Sequence, residues 1–180
     1  MKYLFTGTQS TGKSTILQHY QEQGVNVVTE VVRTLAKTSG IKINELGDEE
    51  GQKLIFNTYK DILSNTENYI SDRSMVDVAA YTQYLVNKGA VHPSILWDQL
   101  ADLEEFVNGN PDAVFFYFPI EFPVVDDGVR SLDEEFREQV DKNILGILQS
   151  RRIPYVEVRG TVEERIKIID EQSKTIQYPL

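Results

Sequence analysis

Short apolar runs alternate along this chain with longer stretches in which apolar residues return every three or four positions. The first pattern predicts buried strands and the second amphipathic helices. Strands are expected at Lys2–Thr6, Val25–Thr29, Tyr69–Ser71, Ala113–Phe118 and Tyr155–Val158. Ala113–Phe118 reads Ala-Val-Phe-Phe-Tyr-Phe, the strongest apolar run. Helices are expected at Ser14–Gln23, closed near Gly24, and at Glu30–Thr38, closed at Ser39-Gly40. Others follow at Asp48–Asn65, Met75–Lys88, Pro93–Val107, Leu132–Gln149 and Val162–Glu171. In Asp48–Asn65 the residues Leu54, Ile55, Tyr59, Ile62 and Leu63 share one face. Ile120–Ser131 reads as a loop, and the tail from residue 172 to 180 has no clear pattern and is expected to be mobile. Strands alternating with helices imply an α/β fold, a parallel sheet covered on both faces with right-handed crossovers. Ligands of such sheets bind outside the carboxyl ends of the strands.

With 180 residues the chain suits one domain, expected over 1–171, without repeats or linkers. It contains no Cys, which excludes disulfides, Cys-bound zinc and thiol catalysis. Two His, His19 and His92, argue against a His-rich metal site. No apolar run approaches a membrane span, and the N-terminus lacks signal-peptide features, so a cytoplasmic protein is expected. The net charge of −10 counts weakly against a nucleic-acid clamp.

The chemistry starts at Gly7-Thr8-Gln9-Ser10-Thr11-Gly12-Lys13-Ser14, which matches G-x-x-x-x-G-K-[ST]. It follows a predicted strand and opens a predicted helix, the context a phosphate loop requires. Its amides form an anion nest at a helix N-terminus. Lys13 is expected on the β- and γ-phosphates and Ser14 on Mg²⁺, with Thr8, Gln9, Ser10, Thr11, Gly12 and Thr15 completing the nucleotide contact. A chance match is expected on the order of once per hundred chains of this length, given average composition. A GTPase would read its base with Asn-Lys-x-Asp, whereas Asn87-Lys88-Gly89-Ala90 lacks the Asp. The length fits a small-substrate kinase.

Each remaining motif falls at a predicted strand end. Strand two ends in Thr29-Glu30, with Arg33 one turn on. Glu30 there can accept a substrate proton or hold the hydroxyl; the plain alternative is a helix-start Glu. Strand three ends in Ser71-Asp72-Arg73-Ser74. Asp72 suits water-mediated Mg²⁺ binding or base catalysis, and Arg73 suits substrate or phosphate; a helix cap explains Asp72 but not Arg73. Asp77 and Tyr81 suit the acceptor pocket and the core equally well. The loop Pro119–Ser131 carries Asp126-Asp127-Gly128-Val129-Arg130-Ser131, with Arg137 beyond it. A lid spanning about 119–137 would bring Arg130 to the transferring phosphoryl group. A solvated hairpin turn at Asp127-Gly128 is the alternative. Arg159-Gly160-Thr161 follows the last strand; Gly160 either meets the adenine edge through its backbone or is a plain turn.

These motifs resemble the nicotinamide riboside kinase-like P-loop group, an AAA-type ATP-binding family. The resemblance rests on Gly-x-x-x-x-Gly-Lys-Ser, Thr-Glu-x-x-Arg, Asp-Arg-Ser-x-x-Asp, Asp-Asp-Gly-x-Arg-Ser-x-Asp-x-x-Phe-Arg and a terminal Gly-x-x-x-x-Arg, from Gly7 to about Arg165. Asp-Arg-Ser is also similar to a deoxynucleoside kinase motif. The resemblance implies a three-layer, five-stranded parallel sheet in the order 2-3-1-4-5 and ATP- and Mg²⁺-dependent phosphorylation of a hydroxyl. It makes Glu30 or Asp72 the base or metal anchor and Arg130 with Arg137 the lid arginines. The group includes bacteriophage-encoded members with varied acceptors. The leading expectation is a kinase acting on a nucleoside, nucleotide or similar small molecule. A kinase for a hydroxymethylated pyrimidine such as 5-hydroxymethyluracil in DNA is the second, with Tyr81, Tyr84 and Trp97 as stacking candidates. A nucleotide switch without transfer activity is the third, and an in-cis lid arginine argues against it.

Overall fold

The computed structural model describes residues 1–123 and 133–177, with side chains described through 172. Asp126–Ser131, and with them the Arg130 assignment, lie outside the described residues. The strands are β1 (Lys2–Thr6), β2 (Val27–Val28), β3 (Tyr69–Asp72), β4 (Ala113–Tyr117) and β5 (Tyr155–Glu157). The helices are α1 (Lys13–Glu22), α2 (Val31–Ser39), α3 (Glu49–Asn65), α4 (Met75–Asn87), α5 (Pro93–Gly109), α6 (Glu134–Ser150) and α7 (Val162–Gln177). The sheet runs β2-β3-β1-β4-β5, all parallel, so the order implied by the resemblance is the one observed.

Strand alternation divides the core in two. Leu4 of β1 faces one side with Phe115 and Tyr117 of β4, packed by α3, α4, α5 and α6 through Ile55, Val76, Leu103 and Ile144. Tyr3 and Phe5 face the other side with Phe116 and Phe118, packed by Ile16 and Leu17 of α1 and Ile169 of α7. Both faces of the central strands are therefore apolar, which is why their sequences read as continuous runs.

Three elements depart from the sequence pattern. β2 is only Val27–Val28, because the Val25 amide is taken by the Tyr20 carbonyl at the end of α1, at 3.1 Å, before the strand can begin. A 3₁₀ turn at Asn44–Leu46 interrupts the α2–α3 connection. The last helix continues past Glu171 to Gln177; Ile169 anchors it in the core, and the Tyr20 hydroxyl donates to Asp170 at 2.8 Å.

Candidate active site

The phosphate loop leaves β1, the central strand, between β3 and β4. Gly7 passes so close to β4 that an added Cβ would stand 2.5 Å from the Phe118 carbonyl oxygen. Gly12 sits at φ +85 and enters α1 directly. Each carbonyl from Gly7 to Thr11 accepts from a cationic side chain. Lys13, buried, donates to the carbonyls of Gly7 (2.6 Å) and Thr8 (2.7 Å) and to the Thr11 hydroxyl (3.0 Å). The carbonyls of Gln9 and Ser10 accept from Arg137, at 3.0 and 3.1 Å. That of Thr11 accepts from Arg165 at 2.7 Å. In a trans peptide the carbonyl and the next N–H point in opposite directions. The amides of Ser10 and Thr11, whose preceding carbonyls turn to Arg137 outside the lining, therefore turn to the cavity side. This amide-lined cradle, which a Cβ at Gly12 would disrupt, fits a polyphosphate, and the exposed Ser14 hydroxyl beside it suits one Mg²⁺ position.

One cavity of about 920 Å³ joins this cradle to an acceptor-sized space. Its lining includes Gln9 to Thr15, Glu30, Arg33, Asp72, Arg73, Asp77, Tyr81 and Gly160, together with Glu121, Phe122 and Arg165. The structure brings these predicted residues together. Arg137 is outside the lining, and its guanidinium is spent on the back of the loop, on Phe122 O at 2.7 Å and on Glu134 at 3.2 Å. Arg137, expected to meet the nucleotide, holds a core position on the α6 stripe of Phe136, Val140 and Ile144 and is drawn inward, where its guanidinium meets the carbonyls of Gln9, Ser10 and Phe122.

Backbone strain collects here. Of the six non-glycine residues with positive φ among the described residues, Ser10, Glu30, Asn44 and Arg73 line the cavity. Such conformations persist where surrounding bonds over-determine them, often at functional sites. Arg73, at φ +90, is pinned by its amide on Phe5 O (2.9 Å) and by the Ser71 hydroxyl on its own carbonyl (2.6 Å). Its guanidinium reaches the Tyr81 hydroxyl at 3.3 Å and stacks on that ring at 5.2 Å. Glu30 pairs with Arg33 at 3.4 Å and is half-exposed. Tyr59 donates to the Asp72 carbonyl at 3.2 Å. Burial pushes the Tyr59 phenol up, against the opposing Arg73 charge, so it stays a neutral donor.

Asp77 is 1% exposed and its carboxylate is fully engaged. Oδ2 accepts from the Thr6 hydroxyl (2.6 Å), the Ser74 amide (2.8 Å) and the Ser74 hydroxyl (3.0 Å). Oδ1 accepts from the Gly7 amide at 2.9 Å. Asp77 thus closes the capping box of α4 and ties it to the first residue of the phosphate loop.

Arg165 closes the Gly-x-x-x-x-Arg pattern, and Glu121 and Phe122 fall within the expected lid, but the sequence assigns none of the three a particular contact. Arg165 is 2% exposed, caps Gly160 O at 2.9 Å, pairs with Glu121 and lies over the Phe118 and Phe122 rings at 5.7 and 5.0 Å. The legible signals were the Gly160-x-x-x-x-Arg165 spacing and the place of the arginine four positions before buried Ile169.

A parallel β2-β3-β1-β4-β5 sheet with this loop at the end of its central strand is the P-loop kinase fold. The chain belongs to the AAA domain family, whose model matches residues 2–165. No curated protein sequence matches it. Among solved structures it is similar to deoxyadenosine kinase from M. mycoides, with dCMP and a flexible dCDP bound, at 18% identity and TM-score 0.65, covering 98% of this chain and 100% of that one. It is also similar to NadR protein in complex with NR, at 17% identity and TM-score 0.72, covering 99% of this chain and 52% of that one. The chain thus spans about half the length of NadR. The group suspected from the motifs is the group these structures represent.

Proposed function

We infer that the protein is an ATP-dependent kinase that phosphorylates a hydroxyl of a nucleoside or similar small molecule. The observation that carries this reading is the single cavity joining an amide-lined phosphate loop to a second space lined by Glu30, Arg33, Asp72, Arg73 and Tyr81. Bound Mg-ATP supplies the phosphoryl group and an electrophilic phosphorus. The loop amides and Lys13 hold the polyphosphate and offset its charge. Asp72 pairs in register with Phe5 of β1, next to the loop, which suits water-mediated Mg²⁺ holding together with Ser14. Glu30 follows β2, one strand further out, which suits it to accept the acceptor's proton. Arg33, Arg73 and Tyr81 orient the acceptor, and Arg130 serves the transferring phosphoryl group.

A small acceptor is favoured over a polynucleotide. The acceptor end holds Glu30, Asp72 and Asp77 against Arg33 and Arg73, and the chain carries a net charge of −10. Phosphate-rich strands are repelled by such a field. The test incubates the protein with labelled Mg-ATP and three acceptor pools: free nucleosides, nucleoside monophosphates and hydroxymethyl-pyrimidine DNA. Label on the nucleosides is expected. Label on the DNA alone overturns the reading, and tight ATP binding with no label in any pool replaces it with a nucleotide switch.

A further inference from the structure

We propose that Arg137 and Arg165 are positioning residues for the phosphate loop: they hold its carbonyls in place so that its amides face the polyphosphate before nucleotide arrives. This rests on the loop being a polyphosphate site. An amide nest needs every carbonyl of the turn to point the other way, and each such carbonyl needs a donor. Water fills that role on an exposed loop, but here Thr8, Gln9 and Thr11 are buried. Two arginines from two different helices supply the donors instead. Arg137 of α6 spans Gln9 O and Ser10 O, and Arg165 of α7 takes Thr11 O. Lys13 takes Gly7 O and Thr8 O, and the Thr11 hydroxyl also donates to Thr8 O at 3.0 Å. Five consecutive carbonyls are thereby matched to cationic side chains.

Burying a guanidinium carries a desolvation cost, which paired charges and hydrogen bonds must offset. Arg137 and Arg165 are 1% and 2% exposed. Their carboxylate partners, Glu134 and Glu121, are each more exposed than they are. An apolar side chain at either position would satisfy the core but leave the loop carbonyls without donors. A lysine would keep the charge and lose the planar fork that reaches two or three acceptors at once. Arg165, which lines the same cavity, also stands against Gly12: a Cβ there would lie 2.7 Å from its Nη1. Glycine at 12 is thus demanded twice, by the left-handed backbone and by the arginine.

The same two side chains hold the chain just after β4. Arg137 donates to the Phe122 carbonyl at 2.7 Å, and Arg165 pairs with Glu121 and covers the Phe122 ring. The loop and the Glu121–Phe122 segment therefore share one pair of cations.

The test compares the unaltered protein with Arg137→Lys and Arg165→Lys, which keep charge and approximate volume. Calorimetry measures binding of Mg-ATP and of magnesium tripolyphosphate, a probe with no base or sugar; scanning calorimetry measures the Tm without ligand. Each variant is expected to lose about tenfold in affinity, equally for both probes, the loss of one charge-assisted hydrogen bond. The KM of the hydroxyl acceptor is expected to stay unchanged. Unchanged affinity for both probes overturns the proposal, as does a loss confined to Mg-ATP. If a lysine variant fails to fold, Arg165→Gln, which retains a donor without the charge, is read in the same way. Failure of the unaltered protein to bind either probe instead removes the polyphosphate site itself.

Discussion

Replacing Asp77 by Asn distinguishes a structural carboxylate from one that touches the acceptor. The amide retains one oxygen, and its best placement is at Oδ2, where Thr6 and both Ser74 donors converge. The NH₂ group then stands at the former Oδ1, facing the Gly7 amide that was bonded at 2.9 Å and the Arg73 guanidinium at 3.9 Å. A buried N–H loses its acceptor, at about 1–3 kcal/mol, and the remaining bonds lose their charge assistance. Together these come to about 2–4 kcal/mol, and for a chain of this size each kcal/mol moves the Tm by about 2–4 °C. The expected result is a Tm lowered by about 5–15 °C in scanning calorimetry without ligand, with weaker Mg-ATP binding as Gly7 loosens. An unchanged Tm accompanied by a raised acceptor KM would refute this reasoning and return Asp77 to the acceptor pocket.

Two further substitutions probe neighbouring claims. Gly12→Ala puts a Cβ 2.7 Å from Arg165 Nη1 in a left-handed backbone at φ +85, so Mg-ATP affinity in calorimetry should fall at least about tenfold, the left-handed conformation alone costing about 1–2 kcal/mol; unchanged affinity would contradict the tight fit. Asp141 of α6 accepts from the Tyr117 hydroxyl at 3.0 Å, while its Oδ1 has no partner among the described residues. Burial raises its carboxyl above the ordinary value of 3.8, against the lowering effects of Tyr117, Arg137 and Lys13. Stability from this group is therefore complete below the ordinary carboxylate range and is lost as pH rises through the raised value. Asp141→Asn should flatten that decline, giving a Tm above that of the unaltered protein at neutral pH; an equal or steeper decline would refute the assignment.

How much was legible in the chain depended on how local the cause was. The phosphate loop and the gathering of Glu30, Asp72 and Arg73 at strand ends followed from short contiguous patterns, whereas the strand order came only through the family resemblance. The length of β2 did not, because Tyr20 O competes for the Val25 amide only once α1 has packed. The division of labour among arginines was also hidden. Arg137 reads as a lid residue by its distance from Asp-Asp-Gly-x-Arg-Ser, yet its place on the Phe136–Val140–Ile144 stripe turns it under the loop. Arg165 lies 154 residues from Thr11, the carbonyl it serves, and no local pattern joins them. Asp77 looked equally suited to pocket and core, and only its bonds to Thr6 and Gly7, some seventy positions earlier, reveal the tie to the loop.

Inward-facing amides around Gly7–Ser14, together with Lys13, make the polyphosphate site on which the kinase reading depends. Isothermal titration of Mg-ATP into the unaltered protein and into Lys13→Ala, with circular dichroism to verify folding, tests it most directly. Saturable one-site binding is expected for the first and none for the folded second. No binding by the unaltered protein, or equal affinity in both, would contradict it.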